Sequence, residues 1–246
     1  MSESFAGKTA LVTGASRGIG RAVSLALAAR GANVIMVARS TTGLTAVDDE
    51  IRKQGHKATL VPIDLQNTQT VGQMCSSILE RFGGLDILVG NAGLLGGLTP
   101  ISAIDGDKWN EMLMVNVTAN LVLMQAMEAA LRAAPAGRAV FVSSGASQSC
   151  KAFWGSYAST KAALDALVSV WAKEQKGTNL KINLVDPGPT RTAMRRDAYP
   201  GEDAQTLKPA DALVPLFMKL LDPSCPYHGQ RLVADEWLKT ADANQG

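Results

Sequence analysis

The sequence predicts an α/β fold: a single domain built on a doubly wound parallel sheet of about seven strands, flanked by helices on both faces. Short apolar, β-branched runs alternate with stretches of helical periodicity along nearly the whole chain, a pattern typical of right-handed βαβ units. The early runs are apolar throughout, as strands covered on both faces require. A length of 246 residues, 46% of them apolar, also suits one large core.

The expected elements follow one another as strand, turn and helix. Strands are expected over residues 8–13, 33–38, 58–63, 85–89, 138–143, 180–185 and 231–234, and helices over 18–30, 44–55, 68–82, 109–132, 157–176 and 209–221. Gly31 and Gly55 are placed to end the first two helices, and Pro209 to begin the last one. Pro215 lies well inside that last helix, so we expect a kink there.

Composition narrows the classes of function. A net charge of +2 gives no strong field for nucleic acid or an anionic membrane. Cys75, Cys150 and Cys225 form no CxxC pair and have no histidine at metal-ligand spacing, so we expect a reducing compartment and no metal site. The N-terminus lacks the features of a signal peptide, and no run approaches the roughly 18 apolar residues of a membrane span. A soluble cytoplasmic protein is therefore expected.

The turn between the first strand and the first helix is rich in glycine, and it reads Thr13-Gly14-Ala15-Ser16-Arg17-Gly18-Ile19-Gly20. Glycines allow a tight turn and a close approach of the backbone to a pyrophosphate, while the helix N-terminus offers unpaired N–H groups to that anion. An ordinary glycine turn is the alternative. The strand before it and the helix after it favour a dinucleotide site in a Rossmann-type fold.

The end of the second strand indicates which dinucleotide binds. Folds that bind NAD usually carry an acidic residue there for the ribose 2′-hydroxyl, but this chain has Ala38-Arg39 and no carboxylate until Asp48. Arg39 and Arg17 both suit a 2′-phosphate, because guanidinium groups form forked, charged hydrogen bonds to phosphate oxygens. NADPH is therefore predicted over NADH. The alternative for Arg39 is a solvated surface residue.

Further motifs follow in a fixed order: Asp64-Leu65 after the third strand, Asn91-Ala92-Gly93 after the fourth, then Asn116, Ser144, Tyr157-Ala158-Ser159-Thr160-Lys161, Pro187-Gly188 and Thr192. Together with the glycine turn, this set resembles the short-chain dehydrogenases/reductases over about residues 7 to 235. The resemblance implies that residues 1–246 form one dinucleotide-binding and catalytic domain. Residues 187–209 form the longest irregular segment and are expected to act as a substrate lid, and 239–246 as a loose tail.

The resemblance also implies the catalytic roles. Tyr157 would exchange a proton with the substrate oxygen, although a free tyrosine has a pKa of about 10. Lys161 lies one helical turn along on the same face, and its charge, with that of the oxidised nicotinamide, should lower the pKa of Tyr157. Ser144 would orient the substrate oxygen, with Ser143 ending the strand. Asn116 would hold a water that links Lys161 to solvent, or would form only a local bond inside a helix.

The remaining motif residues are expected at the cofactor. The resemblance places Asp64 and Leu65 near the adenine, and Asp64 could instead or in addition cap the next helix. Asn91, Ala92 and Gly93 would pass their backbone close to the cofactor ribose, which Lys161 would also contact. Pro187, Gly188 and Thr192 would reach the nicotinamide carboxamide or the phosphates.

Two positions depart from the family pattern, and the substrate side is less defined. Gly90 replaces the first of two asparagines, and Asp186 stands where a neutral residue is more common. Candidate substrate contacts are mostly apolar: Leu94, Leu95, Cys150, Phe153, Trp154, Met194 and Tyr199. Phe153 and Trp154 could instead serve packing. Arg191, Arg195 and Arg196 are expected to be solvated, with an anionic carrier or a carboxylate as the alternative partner, and His56 and His228 are expected at the surface.

The predicted activity is NADPH-dependent reduction of an aldehyde, ketone or 3-ketoacyl group to an alcohol, with Tyr157 as acid and base. The alternatives are an NAD(P)-dependent alcohol dehydrogenase working oxidatively, or a non-catalytic NADPH-sensing protein. The expected partner is a small-molecule carbonyl or alcohol, without nucleic acid or membrane. The resemblance further implies a homotetramer or homodimer.

Overall fold

The computed structural model describes residues 5–243 and confirms the doubly wound parallel sheet. Its strands, numbered in chain order, are β1 (Thr9–Thr13), β2 (Asn33–Ala38), β3 (Ala58–Pro62), β4 (Ile87–Gly90), β5 (Arg138–Val142), β6 (Lys181–Asp186), β7 (Thr190–Arg191), β8 (Lys208–Pro209) and β9 (Arg231–Val233). The main sheet has the order β3-β2-β1-β4-β5-β6-β9, and β7 and β8 form a separate parallel pair. The direction of winding reverses between β1 and β4, which opens a crevice at the carboxyl ends of the strands.

Helices cover both faces of the sheet. They are α1 (Gly18–Ala28), α2 (Thr41–Lys53), α3 (Thr68–Phe82), α4 (Gly106–Leu113), α5 (Ala119–Ala133), α6 (Ala146–Ser149), α7 (Gly155–Glu174), α8 (Ala193–Ala198), α9 (Val214–Leu221) and α10 (Ala234–Ala243). Helices α1, α2 and α9 pack on one face and α3, α5 and α7 on the other. Leu44, Val47 and Ile51 of α2 are fully buried at helical spacing, so the burial of this apolar stripe fixes how α2 sits on the sheet.

For the last predicted helix, both the expected start at Pro209 and the expected kink at Pro215 were wrong. Pro209 belongs to the β7–β8 pair, and a short 3₁₀ turn, Ala210–Leu213, precedes α9. Pro215 then lies in the first turn of α9, where its missing N–H leaves no hydrogen bond unmade. The helix therefore begins at this proline instead of bending around it.

Two further expectations need correction. The segment 187–209 is not irregular throughout, because it contains β7, α8, β8 and a 3₁₀ turn. The expected loose tail is helical over residues 239–243 as part of α10, and residues 244–246 lie outside the described part of the chain.

The long helix expected over 109–132 runs from Gly106 to Ala133 but contains a π turn at Met114–Thr118. By length and composition this run could cross a membrane, although no continuous apolar stretch had suggested it. It packs against α3 and α7 and contributes Leu123 and Met127 to the buried layer on that face. These contacts are those of a core helix in a folded domain.

Candidate active site

A cavity of about 900 Å³ opens at the carboxyl edge of the sheet, where the strand order reverses. It brings together nearly all of the predicted site residues, although they come from distant parts of the chain. Those that line it are Gly14, Ser16, Arg17, Gly18, Ile19, Arg39, Asp64, Leu65, Asn91, Ala92, Gly93, Ser144, Tyr157, Lys161, Pro187, Gly188 and Thr192. Gly20 and Asn116 do not line it.

The glycine turn forms one end of this cavity. Gly14 and Gly18 have φ values of +65° and +57°, which a residue with a Cβ rarely adopts. Helix α1 begins at Gly18 within the turn, and no side chain caps its first N–H groups. By contrast, α2 and α3 are capped by the side chains of Ser40 and Asn67. The free N–H groups at the start of α1 therefore face the cavity, as an anion site requires.

Gly20 lies beneath the turn and keeps its shape. A Cβ built there would overlap the carbonyl oxygen of Gly14 and the side-chain nitrogen of Asn91. Asn91 Nδ2 donates to the carbonyls of Thr13 at 2.9 Å and Gly14 at 3.3 Å. The Thr13 hydroxyl accepts from the backbone N–H groups of Asn91 and Ala92, both at 3.0 Å. Asn91 thus ties the end of β4 to the turn through its side chain as well as its backbone.

The end of β2 presents Arg39 beside carboxylates from other elements. Its Nη1 lies 3.9 Å from both Asp64 Oδ2 and Glu111 Oε1. These distances are long and the groups are well exposed, so the pairs hold the guanidinium only weakly. Asp64 does not cap α3, since that cap is Asn67; it accepts instead from the N–H of Gln66. Arg39 therefore remains available to the cavity.

Tyr157 and Lys161 project from α7 into the middle of the cavity, and both are buried. The ammonium nitrogen of Lys161 donates to the carbonyl of Val142 at 2.8 Å and lies 5.9 Å from the centre of the Tyr157 ring. Burial lowers the pKa of Lys161 to about 8, against an opposing effect of the Asp165 charge. The ammonium therefore gives up its proton more easily than an exposed lysine does.

Burial also raises the pKa of Tyr157 to about 12, and the hydroxyl of Ser144 opposes this rise. The expected lowering of the Tyr157 pKa by Lys161 together with the oxidised nicotinamide stays a prediction, whereas in the protein by itself desolvation of the phenol is the larger effect. In this environment the Tyr157 hydroxyl is held in its protonated form.

Ser143 and Ser144 occupy different positions after β5. Ser143 continues the sheet beyond β5, where its N–H donates to the carbonyl of Val185 at 2.8 Å. Ser144 follows it, and its hydroxyl accepts from the N–H of Ala146 at 3.2 Å. Both residues line the cavity, and the Ser144 hydroxyl is the one that opposes the rise in the pKa of Tyr157.

The family model described as short chain dehydrogenase matches residues 8–203. The chain belongs to the short-chain dehydrogenase family. It is accordingly an oxidoreductase, and the expected fold and family are both confirmed.

Relatives of this short-chain dehydrogenase span most of its length. YciK, an uncharacterized oxidoreductase of Escherichia coli K12, is 37% identical over 214 residues, which cover 86% of this chain and 84% of YciK. The 3-oxoacyl-(acyl-carrier-protein) reductase FabG of Salmonella typhimurium is 35% identical over 193 residues, which cover 78% of each chain.

Solved structures of two family members carry a nucleotide. A short-chain dehydrogenase of Shigella flexneri in complex with NADP is 34% identical, with a TM-score of 0.91. The matched region covers 96% of this chain and 100% of the Shigella chain. A second, from Escherichia coli CFT073 in complex with NADPH, is 36% identical with a TM-score of 0.90. The matched region covers 94% of this chain and 98% of the Escherichia coli chain.

Asn116 is fully buried within the π turn, and its side chain bonds across the fold. Its Oδ1 accepts from the N–H of Leu94 at 2.7 Å, while its Nδ2 donates to the carbonyl of Leu94 and to the hydroxyl of Thr160, both at 2.9 Å. The alternative interpretation, in which Asn116 forms only a local bond inside its helix, is therefore wrong. Both hydrogens of Asn116 Nδ2 are bonded to protein groups, so the side chain fixes the loop after β4 against α7.

The segment 187–209 of this dehydrogenase closes the other end of the cavity. Met194 Sδ lies 3.9 Å from the Tyr157 hydroxyl, and the rings of Trp154 and Tyr199 lie 5.7 Å apart. Arg195 is bonded to Glu202 and lies over the Tyr199 ring, so the solvated position expected for it was wrong.

The other candidate substrate residues divide between the cavity and the surface. Leu94, Leu95, Trp154, Met194 and Tyr199 line the cavity, as predicted. Phe153 is 59% exposed with a φ of +71°, and neither it nor the exposed Cys150 lines the cavity. His228 is not a free surface residue, because its Nδ1 accepts from the N–H of Ile182.

The departure at Gly90 has a structural cause that the sequence pattern did not reveal. A Cβ at this position would overlap the ring of Phe141 on the neighbouring strand β5. The same Cβ would lie 2.8 Å from Asn120 Oδ1. The large aromatic ring and the α5 asparagine therefore occupy the space that a side chain at position 90 would need.

Proposed function

We propose that this oxidoreductase reduces a carbonyl compound to an alcohol with NADPH, and that Tyr157 supplies the proton. The observation that carries the proposal is the burial of Tyr157 and Lys161 in one cavity, beside Ser144 and opposite the glycine turn. The turn provides the positive φ values and the uncapped helix N-terminus that a pyrophosphate needs. These residues therefore fit a nicotinamide dinucleotide.

Bound NADPH would supply the hydride that adds to the carbonyl carbon. The protein groups then act on the oxygen. Ser144 would hold the carbonyl oxygen by a hydrogen bond, and Tyr157 would give its phenolic proton to the oxygen as negative charge develops there. Because burial keeps the phenol protonated, Tyr157 is suited to act as the acid. Lys161 would offset the charge left on the phenolate and return a proton to it.

The preference for NADPH over NADH rests on Arg17 and Arg39. Both line the cavity, and Arg39 occupies the position after β2 where NAD-binding folds usually carry a carboxylate. The complexes of related dehydrogenases with NADP and NADPH support this preference. Asp64 and Glu111 stand near Arg39 at 3.9 Å, and a 2′-phosphate would compete with them through stronger, forked hydrogen bonds.

The walls beside Tyr157 indicate the kind of substrate. Leu95, Trp154 and Met194 pack against the cluster that contains Tyr157, and Tyr199 extends this apolar surface beside Trp154. Arg195 is neutralised by Glu202. This lining favours an aldehyde or ketone with an apolar body, and the relation to FabG supports a 3-ketoacyl group as a further candidate. We propose that residues 187–209 act as a lid over this part of the cavity.

We also propose a cytoplasmic enzyme that assembles as a dimer or tetramer. Val170 on α7 is 53% exposed, and Phe153 just before that helix is exposed as well. These apolar side chains favour an interface at α7. Light scattering of the purified protein checks this: a monomer at working concentration would contradict it.

The function is tested by following NADPH consumption, at its own absorbance, with aldehydes, ketones, quinones and a 3-ketoacyl thioester. We expect turnover with at least one apolar carbonyl compound and a slower rate with NADH. The Tyr157→Phe protein is the control, and its rate of NADPH consumption should be lower by about 10²- to 10⁴-fold. Binding of NADPH without turnover of any of these classes would contradict the proposed reduction and favour a sensing role.

A further inference from the structure

A buried cluster of charges lies behind Ser144 and the start of the 187–209 segment. Asp165 of α7, Asp186 at the end of β6 and Arg231 at the start of β9 expose only 16%, 9% and 17% of their side chains. Arg231 Nη2 donates to Asp186 Oδ2 at 2.9 Å. Its Nε lies 3.5 Å from Asp165 Oδ2. One guanidinium therefore faces two carboxylates from different elements.

The same side chains bond to the backbone of two cavity loops. Arg231 Nη2 donates to the carbonyl of Ser144 at 3.1 Å. Asp186 Oδ1 accepts from the N–H of Gly188 at 3.1 Å. The Ser147 hydroxyl lies 2.9 Å from the Ser144 carbonyl and 2.7 Å from Asp165 Oδ2. Ser144 and Gly188 both line the cavity, so the cluster connects the loop after β5 to the loop after β6.

Such a cluster is poorly explained as a source of stability. Removing charges from water is costly, and apolar residues of similar size often stabilise a protein at least as well. The cluster is also incompletely bonded, because Asp165 Oδ1 and Arg231 Nε have no hydrogen-bond partner within the described residues. The three charged side chains instead fix the positions of the groups around them, because the planar guanidinium of an arginine forms hydrogen bonds in a fixed geometry.

We propose that Asp186 is a positioning residue for the reduction, acting through Arg231 and through the N–H of Gly188. Asp186 orients the guanidinium that holds the Ser144 carbonyl, and it fixes the backbone from which residues 187–209 depart. The serine hydroxyl and this segment thereby keep their places relative to Tyr157. This inference rests on the proposed roles of Ser144 and Tyr157, and it accounts for the aspartate that departs from the family pattern.

The chain offers a matched control for Asp186. Asp86 accepts from Lys8 Nζ at 3.0 Å and from the N–H of Thr9 at 2.9 Å. It too is a largely buried aspartate that bonds one cation and one backbone N–H, and its side chain is 18% exposed. It precedes β4 at the amino edge of the sheet, opposite the cavity. Asp186→Asn and Asp86→Asn therefore make the same chemical change at the two edges.

The experiment compares kcat, KM and NADPH binding for both variants, with a carbonyl substrate that the native enzyme reduces. We expect Asp186→Asn to lower kcat about 10- to 100-fold, the range that small misplacements of catalytic groups produce. Its Kd for NADPH should stay within about threefold, because the glycine turn holds the pyrophosphate. Asp86→Asn should keep kcat within about twofold of native, although both variants unfold more easily. Equal kcat values for the two variants would overturn the proposal.

Hydrogen exchange gives a readout that needs no turnover. Asp186→Asn should speed exchange in peptides that contain Ser144–Ala146 or Gly188, and Asp86→Asn should not, because only Asp186 lies on that network. Arg231→Lys keeps a cation but not the fork, so its kcat should fall between those of the native enzyme and Asp186→Asn. Unchanged exchange at both loops would overturn the proposal even if kcat fell. If native enzyme reduces no carbonyl, the proposed function fails, while the exchange result still decides the positioning role.

Discussion

The two ends of the cavity are built in opposite ways. The nucleotide end, at β1 and β2, depends on missing side chains: positive φ values at Gly14 and Gly18, and the uncapped start of α1. The proposed catalytic end, at β5, β6 and α7, depends on buried polar side chains: Tyr157, Lys161 and the charge cluster around Arg231. The first end suits an anion that brings its own charge, and the second holds charges that the protein itself has desolvated.

This difference predicts separable effects of substitution. Changes at the nucleotide end should alter Kd for NADPH or the choice between NADPH and NADH. Changes at the catalytic end should alter turnover with little change in binding. Substitutions that change the Kd for NADPH and the turnover equally would show that the two ends do not act separately.

The largest effect outside Tyr157 is expected for Lys161→Met. Turnover should fall by about 10²- to 10⁴-fold, the range associated with general acid–base groups. The same change should stabilise the protein, because burial lowers the pKa of Lys161 from 10.5 to about 8. At about pH 7 the native fold therefore bears the full cost of a buried charge. We expect a gain of about 1–3 kcal/mol in the free energy of unfolding, reduced by loss of the bond to Val142.

The pH dependence of that gain has a definite sign. Between pH 8 and 10.5 the folded state loses the lysine proton while the unfolded state keeps it, so the native protein gains stability as pH rises. The advantage of Lys161→Met should therefore be full below pH 8 and shrink above it. Denaturant unfolding at several pH values measures this. Lys173→Met, at an exposed position of the same helix, is the control; an advantage that grows with pH would contradict the account.

At the nucleotide end, Gly20→Ala is expected to weaken NADPH binding by tenfold or more and to destabilise the fold by about 1–3 kcal/mol. The added Cβ would overlap the Gly14 carbonyl and Asn91. Gly72→Ala is the matched change, since Gly72 lies within α3 and a Cβ there meets nothing within 4 Å. It should stabilise the fold by up to about 1 kcal/mol. Thermal unfolding measures the stability of the two variants, and NADPH titration measures their binding. Equal effects of Gly20→Ala and Gly72→Ala would show that the turn tolerates a side chain.

The smallest of these effects is expected for Arg39→Ala. Loss of a charged hydrogen bond to the 2′-phosphate should lower the NADPH-to-NADH preference about tenfold, with kcat nearly unchanged. Arg132→Ala is the control: its side chain is 53% exposed against 56% for Arg39, and it pairs with Glu128 on α5. The ratio of kcat/KM for the two cofactors is the measurement. A ratio that moves equally in both variants would remove Arg39 from the site.

Local signals were enough to predict much of this molecule. The apolar strands, the glycine turn and the pairing of Tyr157 with Lys161 each depend on residues close together in the chain, so periodicity and spacing reveal them. Their positions in the sheet follow from the handedness of βαβ units. The predicted site residues other than Gly20 and Asn116 then line one cavity, because parallel strands share a carboxyl edge.

Long-range contacts explain what the sequence did not predict. Arg231 contacts Asp186, 45 residues away in the chain, and Ser144, 87 residues away. Contacts at such separations have no sequence spacing from which they could be predicted. The clash between a Cβ at Gly90 and Phe141 is equally non-local. Pro209 and Pro215 could each begin a helix, and the choice was settled by pairing of β8 with the distant β7.

The most direct test of this account measures NADPH binding and turnover on a single variant, Tyr157→Phe. It removes only the phenolic oxygen, and Tyr227→Phe makes the same change at a tyrosine that does not line the cavity. For Tyr157→Phe the account predicts a Kd for NADPH within about threefold of native and a kcat lower by about 10²- to 10⁴-fold. Tyr227→Phe should match the native enzyme in both. A Tyr157→Phe enzyme that keeps most of its turnover would contradict the account.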